Sequence, residues 1–110
     1  MPQKFKRGNL VKILVGHRIW TRHEDGTITE RDIRPDWVGK QVIIDYNYFE
    51  KYGGVFEDSQ DSYSIVFLEN GSSSAWFNAI DLEFIEEGGE YLFKQAKENY
   101  EKLRQQLKIP

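Results

Sequence analysis

His17 and His23 are the two histidines of this chain, six residues apart, with Glu24 and Asp25 beside the second. Imidazole and carboxylate groups at such a spacing are the raw material of a metal centre or an acid–base pair. A zinc-type centre needs three or four converging ligands, and two histidines on a hairpin supply no third. A hydrolytic centre fares no better. There is no Gly-x-Ser-x-Gly, Ser72 to Ser74 have no histidine near them in sequence, and Glu86 and Glu87 read as the solvated approach to a helix. With no cysteine in the chain, thiolate nucleophiles, thiolate metal sites and disulfides are excluded. The reading is a non-enzymatic protein with no metal and no cofactor.

Binding chemistry is better represented. The stretch from Ile44 to Gly54, IDYNYFEKYGG, packs four aromatic rings into seven residues before a glycine pair. Tyr46 and Tyr48 at strand spacing either finish a core face with their hydroxyls at its rim or, with Tyr52, form a contact surface beside Trp20 or Trp37. A tyrosine ring serves both ends, since one edge is apolar and the other is wet. Lys4, Lys6, Arg7, Lys12, Arg18, Arg22, Arg31 and Arg34 are interleaved with Trp20 and Trp37, the combination that phosphate contact plus base stacking requires. Glu30, Asp32 and Asp36 stand beside the last two of these arginines and offset them in part.

Charge is distributed unevenly. Residues 1 to 40 hold nine Lys/Arg against five Asp/Glu, residues 41 to 90 one against eleven, and residues 91 to 110 five against two, for a net charge of −3. A dominant phosphate-binding surface normally shows as a basic excess, so a local basic patch in the first forty residues is the most that nucleic-acid binding has here. The 110 residues fit one domain with a small, aromatic-rich core. The start MPQKFKR has no apolar run behind its charges, and no segment approaches the length of a bilayer span. A cytoplasmic protein is expected.

The elements that must position these groups read mostly as strands. Leu10 to Val15 is a branched, apolar first strand closed by Gly16. Arg18 to Glu24 and Thr27 to Arg31 flank Asp25-Gly26, a pair suited to a tight turn, and form a protruding hairpin. Pro35 and Gly39 break the pattern and turn the chain back. From Lys40 to Phe49, a two-residue period puts Val42, Ile44, Tyr46 and Tyr48 on one face and Ile43, Asp45, Asn47 and Phe49 on the other. Tyr63, Ile65 and Phe67 share a face of a strand over 62–68, which returns through Asn70-Gly71 into Ser74 to Phe77. Leu82 to Ile85 is the last strand. From Glu90 onward Leu92, Ala96, Tyr100, Leu103 and Leu107 fall on one side at helical spacing.

The Gly-Asn-Leu-Val-Lys-Ile opening, the hairpin-bearing excursion, Val38-Gly39-Lys40 leading into a strand, Tyr63-Ser64-Ile65-Val66-Phe67 and Asn70-Gly71 follow one another in an order that resembles bacterial SH3-like barrels. Gly39-Lys40-x-Val42-x-Ile44 is similar to the glycine-led strand of KOW-type domains. The resemblance implies a mainly β fold: an SH3-like five-stranded small barrel over residues 1–87, an excursion hairpin at about 16–38, and a C-terminal α-helix over 88–110. It implies a binding module whose contacts come from the excursion and its neighbouring rings, here Trp20, Trp37, Tyr46, Tyr48, Tyr52 and Trp76. The excursion lacks the acid-rich loop and paired aromatics of proline-peptide grooves.

The resulting expectation is a protein-interaction module or accessory factor of bacterial or phage type that binds a partner protein. The alternative is a KOW-like RNA-binding domain using Lys6, Arg7, Lys12, Arg18 and Arg22. The helix stripe packs on the barrel or pairs two protomers, so the chain is a monomer or a homodimer.

Overall fold

A computed structural model describes residues 4–47 and 61–107. Its strands are β1 (Leu10–Ile13), β2 (Arg18–Arg22), β3 (Ile28–Asp32), β4 (Gln41–Asn47), β5 (Ser62–Phe67), β6 (Ser73–Asn78) and β7 (Leu82–Glu86), followed by the helix α1 (Glu90–Leu107). Short 3-10 turns occupy Pro35–Trp37 and Ala79–Asp81. Five strands form one antiparallel sheet in the order β6-β5-β4-β1-β7, and β2 and β3 form a separate hairpin.

The fold is mainly β with one C-terminal helix, as the sequence pattern suggests, but strand pairing does not close a ring. Among the described residues β6 and β7 each have one neighbour and remain the edges of an open sheet. Those edges are nonetheless joined by the three-residue turn Ala79–Asp81. Four residue steps from Asn78 to Leu82 reach at most about 14 Å. Four inter-strand spacings in a flat sheet amount to about 19 Å. The sheet therefore curls, and its concave side holds the main core of Phe5, Val11, Ile13, Val42, Ile44, Tyr63, Ile65, Phe67, Phe77 and Leu82.

The convex side is covered as well. Leu10 and Ile43 meet Leu92 and Ala96 of α1, with Val66, Leu68 and Phe93 around them. A sheet buried on both faces explains why Val42-Ile43-Ile44 is an unbroken apolar run instead of an alternating one, and all three are fully buried. The two-residue period of β4 fails just beyond, at a register shift between Ile44 and Tyr46. Tyr46 is consequently half-buried, and Asn47, expected on the face away from the core, is buried with its amide donating to Asp61 at 2.7 Å. Tyr48 and Tyr52 lie outside the described residues.

Two further expectations are corrected in detail. β1 ends at Ile13 and not Val15, because Gly39 donates to the Ile13 carbonyl and Leu14 to that of Asp81, which turns the chain into the excursion. The stripe of α1 is used only in its first half. Leu92 and Ala96 are buried, whereas Tyr100, Leu103 and Leu107 are exposed. The helix is held at its start by the Arg7–Glu90 ion pair, with the Arg7 guanidinium 4.3 Å over the Phe93 ring, and further along by Asn99, which donates to the Leu68 carbonyl at 2.8 Å. No helix among the described residues is long and apolar enough to cross a membrane.

The β5–β6 connection shows why Asn70-Gly71 is there. Asn70 Oδ1 accepts from the Ser72 N–H at 2.9 Å and the Ser72 hydroxyl at 2.7 Å, which closes the turn. Gly71 has φ +70° and lies against α1, where an added Cβ would fall 2.8 Å from the Ala96 carbonyl oxygen and 2.9 Å from the Tyr100 Cβ. Gly26, with φ +86°, has nothing within 4 Å. Gly26→Ala is expected to cost about 1–2 kcal/mol from its backbone alone. Gly71→Ala adds the displacement of α1, a further ~1–3 kcal/mol. Thermal unfolding of both variants measures the difference, and equal losses would mean that α1 does not press on the turn.

Candidate partner-binding site

The excursion is fixed at its root before it presents anything. Asp32 at the end of β3 accepts the backbone N–H groups of Gly16 and His17, both at 2.8 Å, and of Arg34 at 2.9 Å. Desolvation pushes this carboxyl's pKa up, but the three N–H groups outweigh it and hold it below the ordinary aspartate value. Gly16 passes so close that an added Cβ would sit 1.8 Å from the Arg34 carbonyl oxygen. Only glycine allows these two segments to cross.

A second tie joins the hairpin to the sheet. Arg18 Nη2 lies 2.7 Å from Asp81 Oδ1, and its Nη1 pairs with Glu30 across the hairpin. The Asp81 carboxylate is buried and Arg18 is largely so. Hydrogen bonds to Asp81 and then Glu30 raise the guanidinium pKa beyond its already high value. β2 and β3 alternate about this anchor, so Arg18, Trp20 and Arg22 share a face with Ile28 and Glu30. Trp20 is 59% and Ile28 64% exposed there, beyond the grip of Arg18.

Trp37 is placed differently. Pro35 opens the 3-10 turn, whose Trp37 N–H donates to the Arg34 carbonyl at 3.0 Å. The indole packs on the open end of the main core, 5.2 Å from the Phe67 ring and 6.0 Å from Phe77 by centroid. Arg34 lies over its outer face with the guanidinium carbon 4.0 Å from the ring centre. The same guanidinium forks onto Asp36, at 3.0 Å from Nε and 2.8 Å from Nη2. That hydrogen bond, in turn, lowers the Asp36 carboxyl pKa. Arg34 is thus held over the indole by a carboxylate two residues away.

Beside this stack opens a cleft of about 260 Å³, lined by Arg34, Trp37, Phe67, Glu69, Asn70 and Ser72–Ser74. Two aromatic rings, two charged side chains, one amide and three serines share its wall. Glu69 is tied to Lys40 at 2.6 Å, and Ser72 is committed to Asn70. The lining thus joins an indole to hydroxyl, amide and charged groups.

The residues singled out from sequence separate into distinct places. Trp37 is half-buried in the cleft, Trp20 is exposed on the hairpin, and Tyr46 is half-buried in β4. Trp76 belongs to β6, and its side chain lies outside the described residues. Of the basic set, Arg7 pairs with Glu90 and Asp45, Lys12 with Glu83, and Arg18 with Glu30 and Asp81. Lys6 and Arg22 have no ion pair among the described residues. His23 Nε2 lies 2.8 Å from Thr29 Oγ1, and no cluster of three or more metal-ligating side chains occurs among the described residues.

Sequence reading missed Glu69, Asn70 and the serines as cleft residues, and Arg34 as the roof of Trp37. The signal available was local: Arg34 and Asp36 flank a proline that starts a turn, and this brings the two charges together. No family model, curated protein or solved structure matches this chain.

Proposed function

We propose that the chain is a non-enzymatic protein-interaction module that takes a partner protein through the Trp37 cleft and the exposed Trp20 of the excursion. The observation that carries this reading is Trp37 packed against Phe67 with the Asp36-held Arg34 over its ring. The ring is rigid before any partner arrives, and rigid aromatic and arginine side chains in a partly desolvated cleft are what binding hot spots are made of.

We also infer a curled sheet of the small-barrel kind. The strand order β6-β5-β4-β1-β7 and the three-residue step between its edges support it. A cysteine-free chain suits the cytoplasm. The nucleic-acid alternative draws on Lys6, Arg7, Lys12, Arg18 and Arg22, of which three are neutralised by nearby carboxylates. An engaged cation releases no counterion on meeting phosphate unless its own pair is broken.

The test is capture from a bacterial lysate with tagged protein, with and without nuclease, comparing wild type with Trp20→Ala/Trp37→Ala. A partner that survives nuclease and is lost from the variant, with the variant's circular dichroism unchanged, is the expected result. Arg34→Ala, which unroofs the indole without opening the core, should weaken the same capture. Capture unaffected by these changes would remove the site. Loss of every partner on nuclease treatment would put the basic N-terminal residues in its place.

A further inference from the structure

We propose that the partner is bound by strand addition: an extended, uncharged segment pairs along the outer side of β6 and sets one apolar side chain on Trp37. The inference rests on the reading of the cleft as the partner site and adds how the partner is held. The sheet has two edges, β6 and β7. An edge strand is a row of unpaired N–H and C=O groups, which proteins protect with charges or proline. β7, Leu82-Glu83-Phe84-Ile85-Glu86, carries two carboxylates. β6, Ser73-Ser74-Ala75-Trp76-Phe77-Asn78, carries no charge and no proline, in a chain of which 30% is charged. Its register shift against β5, between Tyr63 and Ile65, lies beyond Ser73 and Ser74, which pair regularly with Val66 and Ile65. Among the described residues no element pairs with its outer side.

The geometry of the β5–β6 pair puts that free edge at the cleft. The Phe67 N–H donates to the Ser72 carbonyl at 2.8 Å, so Ser72 turns its carbonyl toward β5. By the alternation of an antiparallel ladder, Ser73, opposite Val66, then turns its N–H and C=O outward. Ser73 and Ser74 also line the cleft beside Trp37. A strand hydrogen-bonded to Ser73 therefore arrives next to the indole, where main-chain bonds supply affinity and the cleft selects a side chain. A second copy of this chain fits less well. Antiparallel pairing of β6 with itself about Ala75 would set Phe77 opposite Ser73, and Phe77 is 4% exposed, already packed in its own main core. That ring has no free face to set on the indole of a second copy.

The experiment selects binders from a display library of random linear peptides on the whole protein and re-synthesises the best one with N-methyl groups at alternate residues. One alternate set is expected to lower affinity at least about tenfold and the other to leave it unchanged, because only every second N–H faces a strand partner. Ser73→Pro, which removes an outward donor, should cause the same loss, and the N-methyl series gives the answer even if that variant does not fold. Binding lost on Trp37→Ala but indifferent to both N-methyl sets would overturn strand addition while leaving the cleft as the site. Indifference to Trp37→Ala as well would overturn both. Selection of no peptide, or a dimer in sedimentation that Ser73→Pro dissolves, would equally overturn a foreign strand as the occupant.

Discussion

Tyr63→Ala is expected to destabilise the protein by about 3–5 kcal/mol, the range for removing a buried aromatic ring, which is a large part of the 5–15 kcal/mol typical of a domain. Tyr63 is 1% exposed and meets Phe5 edge-on at 5.5 Å. Its hydroxyl accepts the Phe5 N–H at 2.9 Å and donates to Asp61 at 2.7 Å. Asp61 also receives the Lys4 N–H at 2.8 Å and the Asn47 amide. One ring and one carboxylate thereby bind the N-terminal segment to β4 and β5. Tyr63→Phe keeps the ring, strands the Phe5 N–H and takes one donor from Asp61, at a cost of about 1–3 kcal/mol. Denaturant titration of the two variants separates ring from hydroxyl, and equal losses would mean the hydroxyl holds nothing.

The same residue sets an alkaline limit. Burial first, and then the bond to Asp61, pushes the Tyr63 pKa from 10.0 up to about 12. A folded-state value above the unfolded one means that the native protein keeps a proton the unfolded chain gives up. Stability is therefore complete below pH 10 and falls as pH rises toward 12. Tyr91 shifts the same way through its bond to Glu86 but is exposed. Tyr63→Phe should flatten the alkaline decline where Tyr91→Phe leaves it. A decline unchanged in Tyr63→Phe would assign it to other groups.

Arg18→Ala is the second large effect, a loss of about 2–3 kcal/mol. Removing one partner of a buried pair leaves an uncompensated charge, here Asp81, and the partial exposure of Arg18 trims the usual cost. Arg18→Met combined with Asp81→Leu should recover most of it, since two apolar residues of similar size leave no charge stranded. If the double variant is no more stable than Arg18→Ala, the pair is not what fastens the hairpin. Capture of the partner by the double variant then reports whether Trp20 must be held in place.

The sequence made the strands legible because their signals are local. Alternation marks β5, Asn70-Gly71 marks the turn after it, and a glycine-free run with helical spacing marks α1. The curl, the bulge and the ties were not legible. A strict two-residue period through β4 takes no account of the shift at Ile44 and Tyr46, so it assigned Asn47 to the wrong environment. Arg18 looked like a free cation because its partner Asp81 is 63 residues away. The helix stripe read as one surface, yet the sheet ends beneath Asn99 and leaves the rest uncovered. Trp20 and Trp37 were indistinguishable as letters. Only the rings of Phe67 and Phe77, contributed by distant strands, make one of them a fixture and leave the other exposed.

The position of β1 between β4 and β7 has a consequence for how the chain reaches its fold. β1 is made first and β7 last among the strands, so during synthesis Val11 and Ile13 have a partner on one side only until Leu82 and Phe84 have emerged. Until then the hairpins can form, but the core they enclose stays open along one seam. Pairings that span most of a chain close slowly, because the loop entropy is spent before the contacts repay it. The last strand to leave the ribosome is thus the one that seals the molecule, and a chain stopped before Leu82 would leave the main core without its final wall.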